Sequence, residues 1–501
     1  MTAAHTGGSD SGAVDAAPAL LTEPAALGLT APEVPVDLAP LVEALSPGAV
    51  VDDPDVVAAH SRDRAVFAPI GAPRALVRAR STADVQTTLR FAHEHRVPVI
   101  PQGALTGLSG GANGVDGALL LNVAGMDRIL DVDAVEQTAT VEPGVLNRTL
   151  KDALVEHGLS YPPDPGSVDI STLGGNVATN AGGLCCVKYG VTKDYVRRLT
   201  VVLADGSITT VGRPTAKGVA GLDLASLFVG SEGTLGVVVE IVVELIPAIP
   251  DPITGVALFD DIRDAARTIT EFMSSGATPS LLEILDGQSI ECINDYGDFG
   301  LPEGAAAMLL VQANGDGSLE RAAADLAVFE RIAESQGATE VTISDDPADS
   351  EMFIAARRSV GHALEKYAMA NGGGELVDDV CLPRAALAEF FTRMRSIADE
   401  HDVLIAVAGH AGDGNMHPNV LFDAQDQPSV ARAHAAFDAI MATGLALGGT
   451  ITGEHGVGVL KNRWLARELD PVAQRLHVAV KREFDPRGIL SPGKMLGELA
   501  G

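Results

Sequence analysis

Where the glycine-rich stretch Pro101 to Gly111 leads constrains this chain more than any other feature. It follows an apolar run, Val97 to Pro101, and passes through Ala112 to Gly117 into a second apolar run, Ala118 to Asn122. A glycine-rich loop after a strand marks a Rossmann dinucleotide site when it opens a helix whose N-terminus takes the pyrophosphate. This loop opens a strand instead, so the Rossmann arrangement is excluded. Its backbone N–H groups can still cradle a phosphate as a nest, with a plain glycine turn as the competing reading. Upstream, Ala75 to Arg80 reads as a strand, and Ser81 to Asp84 resembles a capping box opening a helix to about His95. With Val97 to Pro101 this makes a βαβ unit.

The loop is one of several. Val141 to Val145 closes a strand and opens a helix to about His157, followed by the proline-rich Pro162 to Gly166. Leu173 to Gly183 carries too much glycine for a packed helix and suits backbone pressed against a ligand, with Asn176 and Asn180 able to bond the edge of a heterocycle. Lys188 to Val191 comes next. Asp205-Gly206 between two alternating strands predicts a two-residue hairpin. Phe228 to Gly236 is another glycine-rich loop and runs into a long strand, Val237 to Ile246. Pro247 and Pro250 punctuate a domain boundary.

Composition narrows the partners. A chain of 501 residues, 46% apolar and 20% charged, buries a large core and divides into two or three domains. Its formal charge of −32 argues against nucleic acid and against an anionic membrane surface, which would both repel it. Four cysteines (Cys185, Cys186, Cys292, Cys381) make no disulfide framework and lack the Cys-x-x-Cys repeats of an iron–sulfur cluster. A reducing cytoplasm fits this usage, and residues 1 to about 36 read as a flexible polar tail. There is neither a signal-peptide pattern nor a run of about 18 uncharged apolar residues.

The chemistry points to two late segments. Gly409 to His417 follows an apolar strand (Val403 to Val407), so its imidazoles hang from a strand end and the glycine-rich loop beyond it. Gly453 to Gly458 then adds Glu454 and His455. His410, His417 and Glu454 make the three-ligand set of a zinc-type site with an open position, and manganese accepts the same set. His455 is left free as a base. Loop histidines in a glycine turn are the simpler alternative, and the second block weighs against it.

Taken together, these segments resemble the FAD-binding domain of the vanillyl-alcohol oxidase and p-cresol methylhydroxylase superfamily. Within it, the chain over about residues 45 to 495 is similar to the D-2-hydroxyacid dehydrogenase branch, which includes the glycolate oxidase flavin subunit, D-lactate dehydrogenase and D-2-hydroxyglutarate dehydrogenase. The resemblance implies an α+β fold: a two-part FAD-binding domain over 37–248, an α+β substrate or cap domain over 249–450 carrying the metal loop, and a segment over 451–501 that returns to the flavin domain. It implies FAD contacts from Pro101, Gly103, Ala104, Thr106, Gly107, Leu108 and Ser109, and from Pro163 and Tyr189. Gly174, Gly175, Asn176, Thr179, Asn180, Gly182 and Gly183 would contribute from the middle block, and Gly233, Gly236 and Val237 from the last. Gln102 and Leu105 depart from the family's Arg and Gly. No His or Cys in Pro101 to Gly111 offers a covalent link, so the FAD is expected to be dissociable.

The cap is expected to run through strands Ile253–Phe259, Ser280–Leu285 and Ala306–Asn314, with helices to about Ser275 and from Ser318 to about Gln336. In relatives an arginine at the position of Arg357 binds the substrate carboxylate, and Arg358 is its rival here. Val377 stands where the 2-hydroxyglutarate enzymes carry a lysine, which leans the expectation toward a smaller monocarboxylate. The implied reaction takes a D-2-hydroxy acid, D-lactate or glycolate, to the 2-oxo acid: hydride to FAD, proton to His455, carboxylate on Arg357, with Asn415 as a further donor. Electrons would leave to a quinone, a cytochrome, an electron-transfer flavoprotein or an iron–sulfur subunit. The protein would be cytoplasmic or held at the inner membrane face by a partner, with a homodimer as an open option. The alternatives are a D-2-hydroxyglutarate dehydrogenase, a metal-free phenol-oxidising relative and a non-catalytic subunit of a glycolate oxidase complex, and the metal triad speaks against the last two.

Overall fold

The computed structural model describes residues 36–65 and 67–499; the tail expected over 1–36 lies, apart from Val36, outside them. A short helix, Ala39–Ala44, leads into the first sheet: β1 (Val50–Val51), β2 (Ala75–Arg78), β3 (Val99–Gln102) and β4 (Leu119–Asn122), in the order β1-β2-β4-β3. β2, β4 and β3 are parallel and β1 is antiparallel. The βαβ unit is present, but β4 inserts between its two strands. Ser81 accepts the Asp84 N–H at 3.2 Å and the Asp84 carboxylate accepts the Arg80 N–H, so the helix Thr82–His95 starts where the capping residues place it. Leu76, Val77, Leu119, Leu120 and Leu121 are wholly buried, which explains why these strands read as apolar runs without alternation.

The second sheet is antiparallel. It contains β5 (Ile129–Asp133), β6 (Thr138–Val141), β8 (Val196–Val202), β9 (Ile208–Gly212) and β10 (Val237–Glu244), ordered β5-β6-β10-β8-β9; β7 (Leu159–Ser160) pairs separately with β11 (Ile246–Pro247). Two expectations are corrected here. The β8–β9 turn is a three-residue loop: Gly206 N–H bonds Leu203 O, Leu203 N–H bonds Ser207 O, and Gly206 sits at φ +78° as the left-handed residue. The block Leu173 to Gly183 begins as a helix, Leu173–Thr179, capped by Thr172 and closed by Asn180 at φ +52°. Gly174 serves close packing: a Cβ there would collide with Pro143.

The third sheet holds β12 (Ile253–Phe259), β13 (Leu281–Asp286), β14 (Ala307–Ala313), β15 (Glu340–Ser344), β16 (Gly373–Val377), β17 (Val380–Cys381), β18 (Leu404–His410) and β19 (Asn415–Asp423). Their order is β15-β12-β14-β13-β18-β19-β16, with β17 on β19. Helices Ile262–Ser274, Leu319–Ser335, Leu387–His401 and Gln427–Ala446 cover one face; Gly287–Tyr296 and Pro347–Ala370 cover the other. The whole is a two-domain α+β fold.

Asp286 fixes the strand that carries His410. One carboxylate oxygen caps the helix Gly287–Tyr296 through Ser289 N–H at 2.8 Å, and the other accepts Val407 N–H of β18 at 2.7 Å. Asp286→Ala removes a cap and orphans a buried N–H, an expected loss of about 2–4 kcal/mol read as a lowered denaturation midpoint. A change below about 0.5 kcal/mol would mean that solvent replaces both bonds.

The C-terminal stretch returns to the first domain as a strand-like extension. Val99 N–H bonds Ile489 O and Ser491 N–H bonds Val99 O on the free edge of β3, while Lys494 Nζ donates to Gly110 O. Glu232 fastens the neighbouring loop by accepting Val457 and Gly458 N–H at 2.7 Å each.

Candidate active site

A cavity of about 880 Å³ runs between the two domains. The whole loop from Pro101 to Ser109 lines it, as do Gly174, Gly175, Asn176, Thr179 and Gly182, then Gly233, Gly236 and Val237, and finally Arg357, His410, His417, Glu454 and His455. Pro163, Asn180, Gly183, Tyr189 and Asn415 are not in its wall. Their side chains and backbone have other work: Pro163 O accepts from Asn147, Asn180 Oδ1 accepts Lys193 N–H, Gly183 packs on Asp164, and Tyr189 OH accepts from Asn314. Asn176 lines the cavity with its amide bonded to Ser171 and Asn147, while Asn180 lies outside the wall.

The loop after β3 keeps its donors free. Backbone N–H groups from Ala104 to Ser109 find no acceptor among the described residues, which suits a phosphate nest. The two family departures have local accounts. Gln102 is buried and ties the loop ends by donating to His60 O and Ala112 O. Leu105 sits at φ +60°, a conformation glycine takes freely and leucine at a cost of about 1–2 kcal/mol.

The histidine pair comes from a hairpin. In the β18–β19 register Ala408 faces His417 and His410 faces Asn415, so the His-x6-His spacing puts both imidazoles on one sheet face, ring centroids 5.1 Å apart. His417 therefore belongs to β19, not to the glycine loop. Both rings are arranged alike. His410 turns Nδ1 to the Glu283 carboxylate at 2.9 Å and Nε2 to Glu454 Oε1 at 3.1 Å. His417 turns Nδ1 toward Asp379 Oδ1 at 3.6 Å and Nε2 to the same Glu454 oxygen at 3.3 Å.

The carboxylate hydrogen-bonded to His410 Nδ1 is the arrangement that orients Nε2 toward a metal, while Asp379 stands behind His417 at 3.6 Å, beyond a hydrogen bond. Ligand atoms of Asp379, His417, Glu454 and His455 also lie within 4.8 Å of one another, an alternative set that omits His410. Asp379 is the weaker ligand on chemistry, because its Oδ2 already takes the Thr452 hydroxyl and the N–H groups of Gly453, Glu454 and His455. That carboxylate builds the turn which presents Glu454 and His455. Orphaned buried atoms crowd the same place: His417 Nδ1, Asp379 Oδ1, His455 Nδ1 and Asn415 Oδ1. The donor set fits a divalent metal.

Charge is distributed accordingly. Burial opposes ionisation of Glu454, but the His410 charge and the hydrogen bonds from His410 and His417 outweigh it and hold the carboxyl well below its usual range. Burial also opposes a charged His410, and Glu283 and Glu454 reverse this, holding it well above the usual imidazole value. His455, stacked on His417 with centroids 4.9 Å apart, is pushed down to about 4 by burial and stays neutral at neutral pH.

Arg357 is buried and donates Nε to Glu283 at 2.7 Å, leaving its terminal nitrogens toward the cavity with no protein acceptor among the described residues. Arg358 also reaches the wall but is more exposed and lies 3.6 Å from Asp164. Asn415, opposite His410 in the β18–β19 register, packs against Gly453 and does not line the cavity wall. The sequence motifs do not point to Glu283 or Asp379. A lone carboxylate inside the apolar run Leu281–Leu285, and a doublet Asp378-Asp379 at a strand end, were the available signals.

A sequence model of the FAD binding domain matches residues 73–212, and one of the C-terminal domain of FAD linked oxidases matches 251–495. Over 426 residues the chain is 40% identical to glycolate oxidase subunit GlcD of Bacillus subtilis (strain 168), covering 85% of this chain and 89% of that protein. It is 36% identical to D-lactate dehydrogenase of Anaerostipes hadrus, covering 85% and 90%. Among solved structures, p-cresol methylhydroxylase with substrate bound aligns with a TM-score of 0.77 at 18% identity, covering 91% of this chain and 95% of that one. The 4-ethylphenol oxidase from Gulosibacter chungangensis aligns at 0.73 and 19%, with the same coverage. At these identities the structural likeness is one of fold.

Proposed function

We propose, for a chain that belongs to the FAD-linked oxidoreductases of the p-cresol methylhydroxylase type and resembles glycolate oxidase subunit GlcD and D-lactate dehydrogenase, that it oxidises D-lactate or glycolate to the 2-oxo acid. The observation that carries the reading is the matched pair His410 and His417, each with Nε2 on Glu454 and a buried carboxylate behind Nδ1. His410, His417 and Glu454 would hold the metal, with zinc first and manganese second for this ligand set. The loops Pro101–Ser109, Gly174–Gly182 and Gly233–Val237 would hold FAD. When bound, FAD accepts the C2 hydride and the metal withdraws charge from the C2 hydroxyl.

The chain's own side chains do the rest. The free terminal nitrogens of Arg357 take the substrate carboxylate as a fork and fix which hydrogen faces the flavin site. His455 receives the hydroxyl proton at Nε2, the nitrogen 4.0 Å from Glu454 Oε1. Reducing equivalents leave to an acceptor outside the chain, a quinone, cytochrome, electron-transfer flavoprotein or iron–sulfur subunit, because the four cysteines are free and unclustered. Among the described residues no helix is long and apolar enough to cross a membrane.

The test is the anaerobic visible spectrum of the holoprotein mixed in turn with D-lactate, L-lactate, glycolate and D-2-hydroxyglutarate. Bleaching of the flavin band by D-lactate or glycolate and not by L-lactate is expected; a band that none of them bleaches would overturn the substrate class. Metal analysis separates the alternatives, since a fully active metal-free protein would exclude this mechanism.

Gly182 gives a second check. A Cβ there would strike Glu454 Oε2, the mobile end of the proposed ligand, so Gly182→Ala displaces the carboxylate without crowding backbone. Metal affinity should fall about 10–100-fold with little loss of thermal stability. Unchanged metal binding would place the ion elsewhere.

A further inference from the structure

The cavity has an arm that the reaction centre does not use. β16 alternates, with Gly374 and Leu376 in the core and Gly373, Glu375 and Val377 facing the cavity. Val377 pairs with Asn419 and Glu375 with Leu421, so along β19 the rows run from His417 to Asn419 and Val377, and then to Glu375. Same-face rows are spaced about 7 Å apart. Glu375 thus stands one row beyond Val377, on the side away from His417. The opposite wall is the helix Pro347–Ala370, which contributes Val360, Gly361, His362, Glu365, Ala368 and Met369.

At the outer end Arg64 is ion-paired with Glu365 at 3.2 Å, both half-exposed. Arg64 therefore brings a charge that Glu365 already answers. Glu375 itself has no hydrogen-bond partner among the described residues, and burial, with Glu365 adding to it and Arg64 opposing, pushes its carboxyl up to about 7. A carboxylate with no donor beside it is the opposite of what a second substrate carboxylate needs.

We propose that Glu375 is the specificity-determining residue of this arm, barring a second carboxylate so that the substrates are 2-hydroxy monocarboxylic acids. The inference rests on the proposed oxidation of a 2-hydroxy acid at this site. A like charge lining a partly desolvated channel disfavours the dianion by on the order of 10- to 100-fold. Removing the charge should recover that factor.

Two measurements at pH 8.5, where Glu375 is ionised, test it on the FAD-loaded protein. The first is kcat/KM for D-lactate and for D-2-hydroxyglutarate with a dye acceptor; the second is calorimetric binding of pyruvate and of 2-oxoglutarate. Wild type should favour the monocarboxylate in both. Glu375→Gln should shift both ratios toward the dicarboxylate by about 10- to 100-fold, and Glu375→Ala, with the flavin spectrum as the check on folding, should do the same. Ratios unchanged in folded, flavin-loaded variants, or a wild type that prefers 2-hydroxyglutarate, would overturn the inference. If wild type oxidises neither acid the reaction assigned above fails, while the ratio of the two binding constants still decides the role of Glu375.

Discussion

His455→Ala should lower kcat by about 10²–10⁴-fold while the protein keeps its FAD and its metal. The imidazole is buried and neutral, it stacks on His417, and its Nε2 stands 4.0 Å from the oxygen on which His410 and His417 converge. Asp379 aims it: a single carboxylate oxygen accepts the N–H groups of Gly453, Glu454 and His455, so the base and the acidic ligand ride on one rigid turn. Uncharged at neutral pH, the imidazole has a nitrogen lone pair available to accept a proton. The readouts are steady-state turnover, flavin absorbance and metal content by atomic emission. Loss of metal together with activity would transfer His455 to the ligand set with Asp379, His417 and Glu454, and His410 would then be the residue outside it.

Local patterns in the sequence define most of the frame. Ile253–Phe259 is a strand over the very residues its apolar run marks, and Ser81 and Ser318 cap the helices that follow them. The metal spacing is equally legible, because a four-residue turn between paired strands brings His410 and His417 to one face. Expectation fails where tertiary contacts decide. Leu173–Thr179 is helical despite its glycines, since Thr172 caps it and Pro143 presses close enough on Gly174 to require a glycine there. The Asp205-Gly206 signal finds the hairpin but not its loop length. Asn415 lies within a chemically suggestive motif and on the histidines' face of the sheet, yet it packs against Gly453 and stays outside the cavity wall. Glu283 and Asp379 act across about 70 or more residues of sequence, on His410 and on the turn 452–455, and no local spacing encodes such a pairing.

Glu283 carries the second large effect. It is fully buried, and it accepts from two side chains at once: Oε2 from Arg357 Nε at 2.7 Å and Oε1 from His410 Nδ1 at 2.9 Å. The residue proposed to hold the substrate carboxylate and a residue proposed to hold the metal therefore share one counter-charge. Glu283→Gln keeps the shape and removes the charge, leaving Arg357 buried without an anion and His410 without the acceptor that orients its Nε2. Breaking a buried pair from one side costs about 3–5 kcal/mol, so the denaturation midpoint should fall clearly. Loss of the carboxylate behind a ligand histidine should weaken metal binding by about 10–100-fold. Arg357, freed from its anchor, should also position substrate less well, so KM should rise as well as kcat fall. Glu283→Asp, which retains the charge on a shorter arm, should recover part of the stability. A Glu283→Gln protein as stable as wild type, with its metal still bound, would show that Arg357 and His410 do not depend on this carboxylate. A double-mutant cycle with Arg357→Leu checks this directly, since coupling between the two positions would then vanish.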